Sequence, residues 1–310
     1  MSNIQKIEFA NFSWLDIGSP KENQIRELAE EYKFHPLDVR DVLTRSYRSK
    51  IDVYPKYLFC VFLFPIYDRK TREILSAELD IFIGKNFLIT IHHNNLSVFS
   101  ELFNLFRLSP DLRENYPDHS PERLLYEILN KLFLSCFPMI DHLNIDCDYI
   151  EKAIFSGREK HMVSEILVIR RNITDFRKIM QVHKDVLKKA ILNLKQSPNF
   201  VMKKTDIYFE SLTDFAKEIW INLDNLKERI EALQQTNESQ ISFKLSDIMR
   251  ILTTISVITF PITLIAGIFG MNTVHAMPFV EDQLGFWYVI GIMVAIAVLM
   301  ITFFKKKGWM

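Results

Sequence analysis

Net charge is missing from this chain: 38 basic side chains balance 38 acidic ones over 310 residues. Phosphate recognition needs a basic excess or a basic face, so the balance gives no reason to expect a nucleic-acid partner. Local pairs such as Arg170-Arg171 and Lys188-Lys189 read as solvated helix faces. Cysteine is scarce as well. Cys60, Cys136 and Cys147 are odd in number and lack CxxC spacing, which argues against a disulfide framework or a zinc site and for reduced, mostly buried thiols in a cytosolic compartment. The N-terminus has neither a basic-then-apolar signal nor an Arg-rich transit pattern, so the N-terminal mass is expected to stay where it is made. No GxGxxG, P-loop, HExxH or GxSxG occurs, which leaves enzymatic chemistry and a bound cofactor without support. The histidines are scattered. His92-His93 ends an apolar run and reads as a solvated turn. His142 and Asp146 lie four apart, a spacing that suits a divalent ion, but two ligands are too few and an ordinary polar face is the simpler reading.

Charge is also absent from two long stretches near the C-terminus, residues 251–272 and 286–304. Each reaches the ~20 residues needed to cross a hydrocarbon core about 30 Å thick. Two such runs in tandem argue for a membrane hairpin over buried soluble helices. Lys244 and Arg250 precede the first run and Lys305, Lys306 and Lys307 follow the second, while the loop between them carries Glu281 and Asp282 without Lys or Arg. The positive-inside rule then predicts that both termini are cytoplasmic, in a cell (inner) membrane, with the loop outside. Trp287, Tyr288 and Trp309 sit where an aromatic belt belongs.

The first run carries an internal pattern. Ser246, Met249, Thr253, Ser256, Phe260, Thr263 and Gly267 recur at spacings of three and four, one stripe of a helix. Small residues there permit close helix packing in lipid; the alternative is that the stripe lines a water-filled path. Two helices cannot enclose a path, so a pore requires several copies, in a number the pattern does not give.

Between Thr205 and Phe260 there is neither proline nor glycine, and Thr205-Asp206 is a plausible helix start. Phe215, Ile219, Leu223, Leu226, Ile230 and Leu233 recur at helical spacing. A helix continued to Asn272 is on the order of 100 Å long at 1.5 Å per residue, a rod rather than a core element. Two further helical stretches precede it, residues 121–155 and 159–194, with a turn at Ser156-Gly157. Before them, residues 57–66 and 75–91 read as strands broken at Asp68-Arg69-Lys70 and Gly84-Lys85-Asn86, with helices at 21–32, 36–43 and 96–105. The expected class is α+β: a cytosolic α/β domain (1–118), a long-helix and stalk region (119–248), and a transmembrane hairpin with a short basic tail (249–310).

Gly270-Met271-Asn272 closes the first span, preceded by Pro261, Thr263, Ile265-Ala266-Gly267 and Ile268-Phe269. In that setting the tripeptide resembles the signature of the CorA family of divalent-cation transporters. The resemblance extends to His35-Pro36-Leu37 with Asp41-Val42-Leu43, to Arg170-Arg171-Asn172 with Arg177-Lys178, and to the Lys305-Lys306-Lys307-Gly308-Trp309 tail. It implies a funnel-shaped homopentamer in the lipid bilayer that passes Mg2+, and also Co2+ or Ni2+, down the electrochemical gradient. Asn272 would form a ring of amide oxygens at the outer mouth, with Gly270 turning the backbone and Met271 packing behind. Thr263, Gly267 and Ser256 would pass a hydrated ion, and Met249 and Leu252 would make an apolar neck. Glu281 and Asp282 would raise local cation concentration. Ser246 stands where the family has a pore asparagine. In the family a cytosolic acid pair binds regulatory Mg2+; Asp68 matches one partner, Ser211 stands at the other, and Glu210 and Asp214 lie beside it. The alternatives are a zinc transporter of the ZntB branch, which usually varies the middle of the tripeptide, and a membrane-anchored scaffold or sensor.

Overall fold

The computed structural model describes residues 4–44, 46, 48–93, 96–116, 120–196, 206–271, 278–279 and 282–309. It divides into two units, Met1–Gln234 and Gln235–Met310.

The first unit is built on one sheet. Strands β1 (Ile4–Glu8), β2 (Ser13–Gly18), β3 (Lys50–Val53), β4 (Tyr57–Asp68), β5 (Glu73–Gly84) and β6 (Phe87–His92) lie in the order β1-β2-β6-β5-β4-β3. All neighbours are antiparallel except β2 and β6, which run parallel. Side chains alternate across a strand, so β4 sends Leu58, Cys60 and Phe62 to one face and Tyr57, Phe59 and Val61 to the other. Both sets are apolar because both faces are covered. Helices α1 (Glu22–Tyr32) and α2 (Pro36–Leu43) close one side with Ile25, Leu28 and Val42. The other side carries α3 (Ser97–Leu108), the short α4 (Pro110–Glu114), α5 (Pro121–Leu134), α6 (Cys136–Ala153), α7 (Glu159–Met180) and α8 (His183–Gln196). The three cysteines are free and buried, as expected.

The helical stretches break where a continuous reading did not place a break. Pro138 has no N–H for the carbonyl of Leu134, so α5 stops there, and Ser135 Oγ donates to Leu132 O at 2.7 Å. α7 and α8 part at Gln181-Val182. The expected turn at Ser156-Gly157 is a π-helical turn, Ile154–Arg158, with Gly157 at φ 87°, a conformation natural to glycine. β1, β2 and β3 were not anticipated. His92 is a further correction. It lies buried on β6 rather than in a solvated turn, its Nε2 3.3 Å from the Asp16 carboxylate and its ring 4.9 Å from Phe99.

Arg170 and Arg171 are exposed, as expected, but they flank a joint at Asn172. Asn172, 2% exposed, accepts from Ile74 N at 3.2 Å and donates to Arg72 O at 2.9 Å, which pins α7 to the β4–β5 hairpin. Arg171 pairs with Glu73 at 2.8 Å, and Arg72 pairs with Glu165 at 2.6 Å. Lys189 is likewise engaged, donating to Ile51 O at 3.1 Å. Asn172→Ala strands the buried Ile74 N–H and the half-buried Arg72 carbonyl at once, at about 2 kcal/mol. Thermal melting of the variant followed by circular dichroism is expected to fall by roughly 5 °C or more.

Helix α9 is a single 64-residue element, Asp206–Phe269. Its buried positions in the first unit, Phe209, Leu212, Ala216, Ile219, Leu223, Leu226, Ile230 and Leu233, keep the helical period that the sequence displays. Thr205, its expected start, lies outside the described residues. The second unit holds the remainder of α9 and α10 (Gly285–Lys306).

Candidate ion pathway

Both helices of the second unit are long and apolar enough to cross a membrane, and their most apolar windows are 6% and 0% buried. A core helix of a soluble protein would be covered; surface this apolar and this open requires lipid or another protein chain.

Within residues 251–270 the covered positions of α9 are Thr254, Ile258, Pro261, Ile262, Ile265 and Phe269. Those of α10 are Gly285, Val289, Met293, Ile296, Ala297, Met300 and Phe304. Read in opposite directions the two sets keep step, as two antiparallel helices covering one another must. A cleft of about 500 Å³ at one end of the pair is lined by Ala266, Phe269 and Gly270 on one side and Phe286, Val289 and Met293 on the other.

The stripe of interest points elsewhere. Ser256, Phe260, Thr263 and Gly267 sit two residues out of step with Ile258, Ile262, Ile265 and Phe269, about 200° around the helix. All four are exposed, Phe260 at 72%, and a Cβ at Gly267 would meet nothing within 4 Å. Ser246, Met249, Leu252 and Thr253 are exposed too. The hydroxyls have a uniform arrangement. Thr253 donates to Met249 O at 2.8 Å, Ser256 to Leu252 O at 2.9 Å and Thr263 to Thr259 O at 3.0 Å. Each proton is thereby committed to the helix's own carbonyl one turn back, and the oxygen lone pairs remain for solvent. A row of such oxygens suits the outward-pointing hydrogens of a cation's water shell.

Helix α9 ends where the tripeptide begins. Gly270 N bonds Ala266 O at 2.9 Å and Met271 N bonds Ile268 O at 3.3 Å, closing the last turn. Asn272 and Glu281 lie outside the described residues. Asp282 is exposed and its Oδ1 accepts from Leu284 N at 3.2 Å, at the N-terminus of α10 where a carboxylate is favoured. Gly285 is required by close approach, since a Cβ there would lie 1.7 Å from Phe279 O.

The cytosolic acids are more dispersed. Asp68 ends β4, and its Oδ1 accepts from Lys70 N at 2.8 Å, capping the hairpin turn. Glu210 and Asp214 are exposed one turn apart on α9, while the Ser211 hydroxyl donates to Tyr208 O at 2.6 Å. Among the described residues no three His, Cys, Asp or Glu side chains converge as a metal site. His142 and Asp146 line a cleft of about 550 Å³ with Tyr67, Arg69 and Asn172. Burial raises the Asp146 carboxyl, against the pull of Arg72 and His142.

A family profile described as "CorA-like Mg2+ transporter protein" matches residues 9–306. The chain belongs to this family. It is 27% identical over 300 residues to a cobalt/magnesium transport protein CorA of Thermotoga maritima, covering 96% of this chain and 83% of the relative. Its fold is similar to the complete structure of the CorA magnesium transporter from Methanocaldococcus jannaschii, with TM-score 0.84 and 22% identity over 99% of this chain and 94% of that one. It is also similar, at TM-score 0.63 and 10% identity, to the ZntB cytoplasmic domain of Vibrio parahaemolyticus, covering 78% of this chain and 99% of that domain. Both structural likenesses bear on the fold alone. The mixed α+β architecture with two C-terminal apolar helices is thus the CorA fold.

Proposed function

We propose that this chain is a subunit of a homopentameric channel that passes hydrated Mg2+ across a cell membrane, with both termini cytoplasmic. The observation that carries the reading is the open stripe of α9, which faces away from α10 and leads to Gly270-Met271-Asn272. With copies arranged around an axis, α10 takes the lipid side and the stripe takes the axis. Mg2+ gives up its water reluctantly and keeps several waters when bound. Carbonyl-anchored hydroxyls accept hydrogen bonds from those waters without stripping them. Asn272 amide oxygens do the same at the outer mouth, and Asp282 and Glu281 concentrate cations there. Met249 and Leu252 form an apolar constriction that closes by dewetting when narrow. Regulatory Mg2+ at Asp68, Glu210 or Asp214 takes its remaining ligands from water or from a second copy.

The test is uptake by the purified protein in liposomes containing a magnesium-sensitive dye, driven by a potential negative inside. Mg2+ should enter without ATP, Co2+ should compete, and collapsing the potential should slow entry. Zinc uptake coupled to a pH change, without Mg2+ uptake, would favour the ZntB-like reading, against which the intact Met271 stands. No flux of any divalent ion would restore the scaffold.

A further inference from the structure

The tip of the α6–α7 hairpin is built unlike the rest of the first unit's surface. Ala153, Ile154 and Met162 are buried beneath it, while Phe155 is 66% exposed on the π-helical turn. Tyr149 and Val163 flank it, each about half exposed. Lys152, Arg158 and Lys160 are exposed around the same aromatic, and Arg158 rests 5.6 Å from the Tyr149 ring. The neighbouring acids are engaged. Asp148 and Glu151 bind Arg229 at 2.5 and 2.9 Å, Glu165 binds Arg72 at 2.6 Å, and Glu159 is buried. Among the described ion pairs none takes Lys152, Arg158 or Lys160. The tip therefore presents an apolar projection ringed by uncompensated positive charge.

Its direction is fixed by the helices behind it. α7 pairs with α9 in antiparallel order, Arg177 with Asp224 at 2.7 Å and Arg170 with Gln234 at 3.1 Å. The tip thus lies at the end of the first unit toward which α9 runs at Gln234.

We infer that this tip is a membrane-docking element: Phe155 enters the cytosolic headgroup region while Lys152, Arg158 and Lys160 bind anionic lipid phosphates. An exposed aromatic at an interface gains burial for its ring, and basic side chains beside it gain from the negative surface potential. A second copy of the chain is a poorer fit, because a protein partner would need an acidic face, whereas an anionic bilayer is acidic everywhere. The inference rests on the membrane reading of α9 and α10.

The experiment uses the full chain in nanodiscs of phosphatidylcholine with or without phosphatidylglycerol. A polarity-sensitive dye is attached at Phe155→Cys, with Leu192→Cys on α8 as an exposed control; the native cysteines are buried and do not compete. Blue-shifted emission at position 155 in the anionic discs, with position 192 remaining water-like, is the expected result. Neutralising one of the three basic residues should lower the docked-to-undocked ratio about fivefold, and Lys152→Gln/Arg158→Gln/Lys160→Gln should return the emission to water-like. Water-like emission at 155 in both lipids would overturn the inference. So would an equal blue shift in discs without phosphatidylglycerol, which would show that anionic lipid is not what the tip binds. A chain that fails to enter nanodiscs at all would overturn the membrane reading and this inference with it.

Discussion

Asn272→Ala should lower Mg2+ uptake at subsaturating ion by two orders of magnitude or more, with the cytosolic unit still folded. In the homopentamer proposed above, the substitution removes an amide from every copy around the axis. A net hydrogen bond contributes ~1 kcal/mol, so five amides lost together amount to roughly 5 kcal/mol, and even half of that is nearly a hundredfold. No side chain on the described part of the stripe can compensate. Thr253, Ser256 and Thr263 offer single oxygens tied to the backbone, and Gly267 offers none. Asn272→Gln keeps the amide but moves it along the pore and should recover part of the flux. The measurement is initial dye response in proteoliposomes against external Mg2+, with circular dichroism and oligomer size as controls. Uptake equal to wild type in the alanine variant would remove the filter and leave the first span's stripe as mere helix packing.

Uneven legibility of the chain in its sequence has physical causes. Both spans were visible because lipid imposes a one-dimensional demand, an uncharged run of sufficient length, and α9 and α10 meet it. The long strands β4 and β5 were visible because both faces of the sheet are covered, so they appear as compact apolar runs. β1 and β3 were not, because the sequences IQKIE and KIDV are short, half-exposed edge strands with no apolar run to mark them. β2 is covered, yet it is only six residues long and its parallel partner β6 lies far along the chain. The α5–α6 break did leave a signal in Pro138, whose missing N–H frees the Leu134 carbonyl.

At the candidate site the same contrast holds. Spacing placed Ser256, Phe260, Thr263 and Gly267 on one face, and the helix leaves that face open. Spacing could not say that the face turns away from α10, which depends on what α10 covers. Nor could it show that the hydroxyl protons are bound to carbonyls one turn back. Within the Arg170-Arg171-Asn172 run the basic pair reads locally as a solvated face, and Asn172 stands out only by resemblance. Its partners Gln234, Glu73, Ile74 and Arg72 come from two other elements, so no local pattern could have explained it.

His183 sets up the second large effect, a stability that should fall as the medium is acidified. The ring is fully enclosed at the start of α8, with Phe64 at 5.3 Å, Phe133 at 5.7 Å and Phe62 at 5.9 Å. Neither ring nitrogen makes a hydrogen bond of ordinary geometry. Burial drives its pKa down from 6.5 to about 4, against a weaker opposite pull from the backbone of Leu63, Ile179 and Met180. The unfolded chain therefore binds this proton first as pH falls. The contribution of the neutral ring is complete above pH 6.5, declines as pH drops below that value, and is lost by about pH 4. At 1.36 kcal/mol per pKa unit the loss approaches ~3 kcal/mol. Asp80 acts in the opposite sense. Burial, with the Glu78 charge second, raises its carboxyl, so its contribution weakens as pH rises through the raised value. The wild-type profile alone therefore mixes opposed slopes, with other shifted carboxyls such as Asp146 contributing as well, and His183→Leu isolates the histidine's part. Urea unfolding of the first unit, in the full chain held in nanodiscs, should show the variant at least as stable as wild type at neutral pH, since a buried ring with unmet nitrogens costs stability. Its advantage should then grow by about 3 kcal/mol on going to pH 4. A stability difference between variant and wild type that stays constant across that range would mean that His183 has the same pKa in the folded and unfolded chains, and that the acid response of the cytosolic unit arises elsewhere.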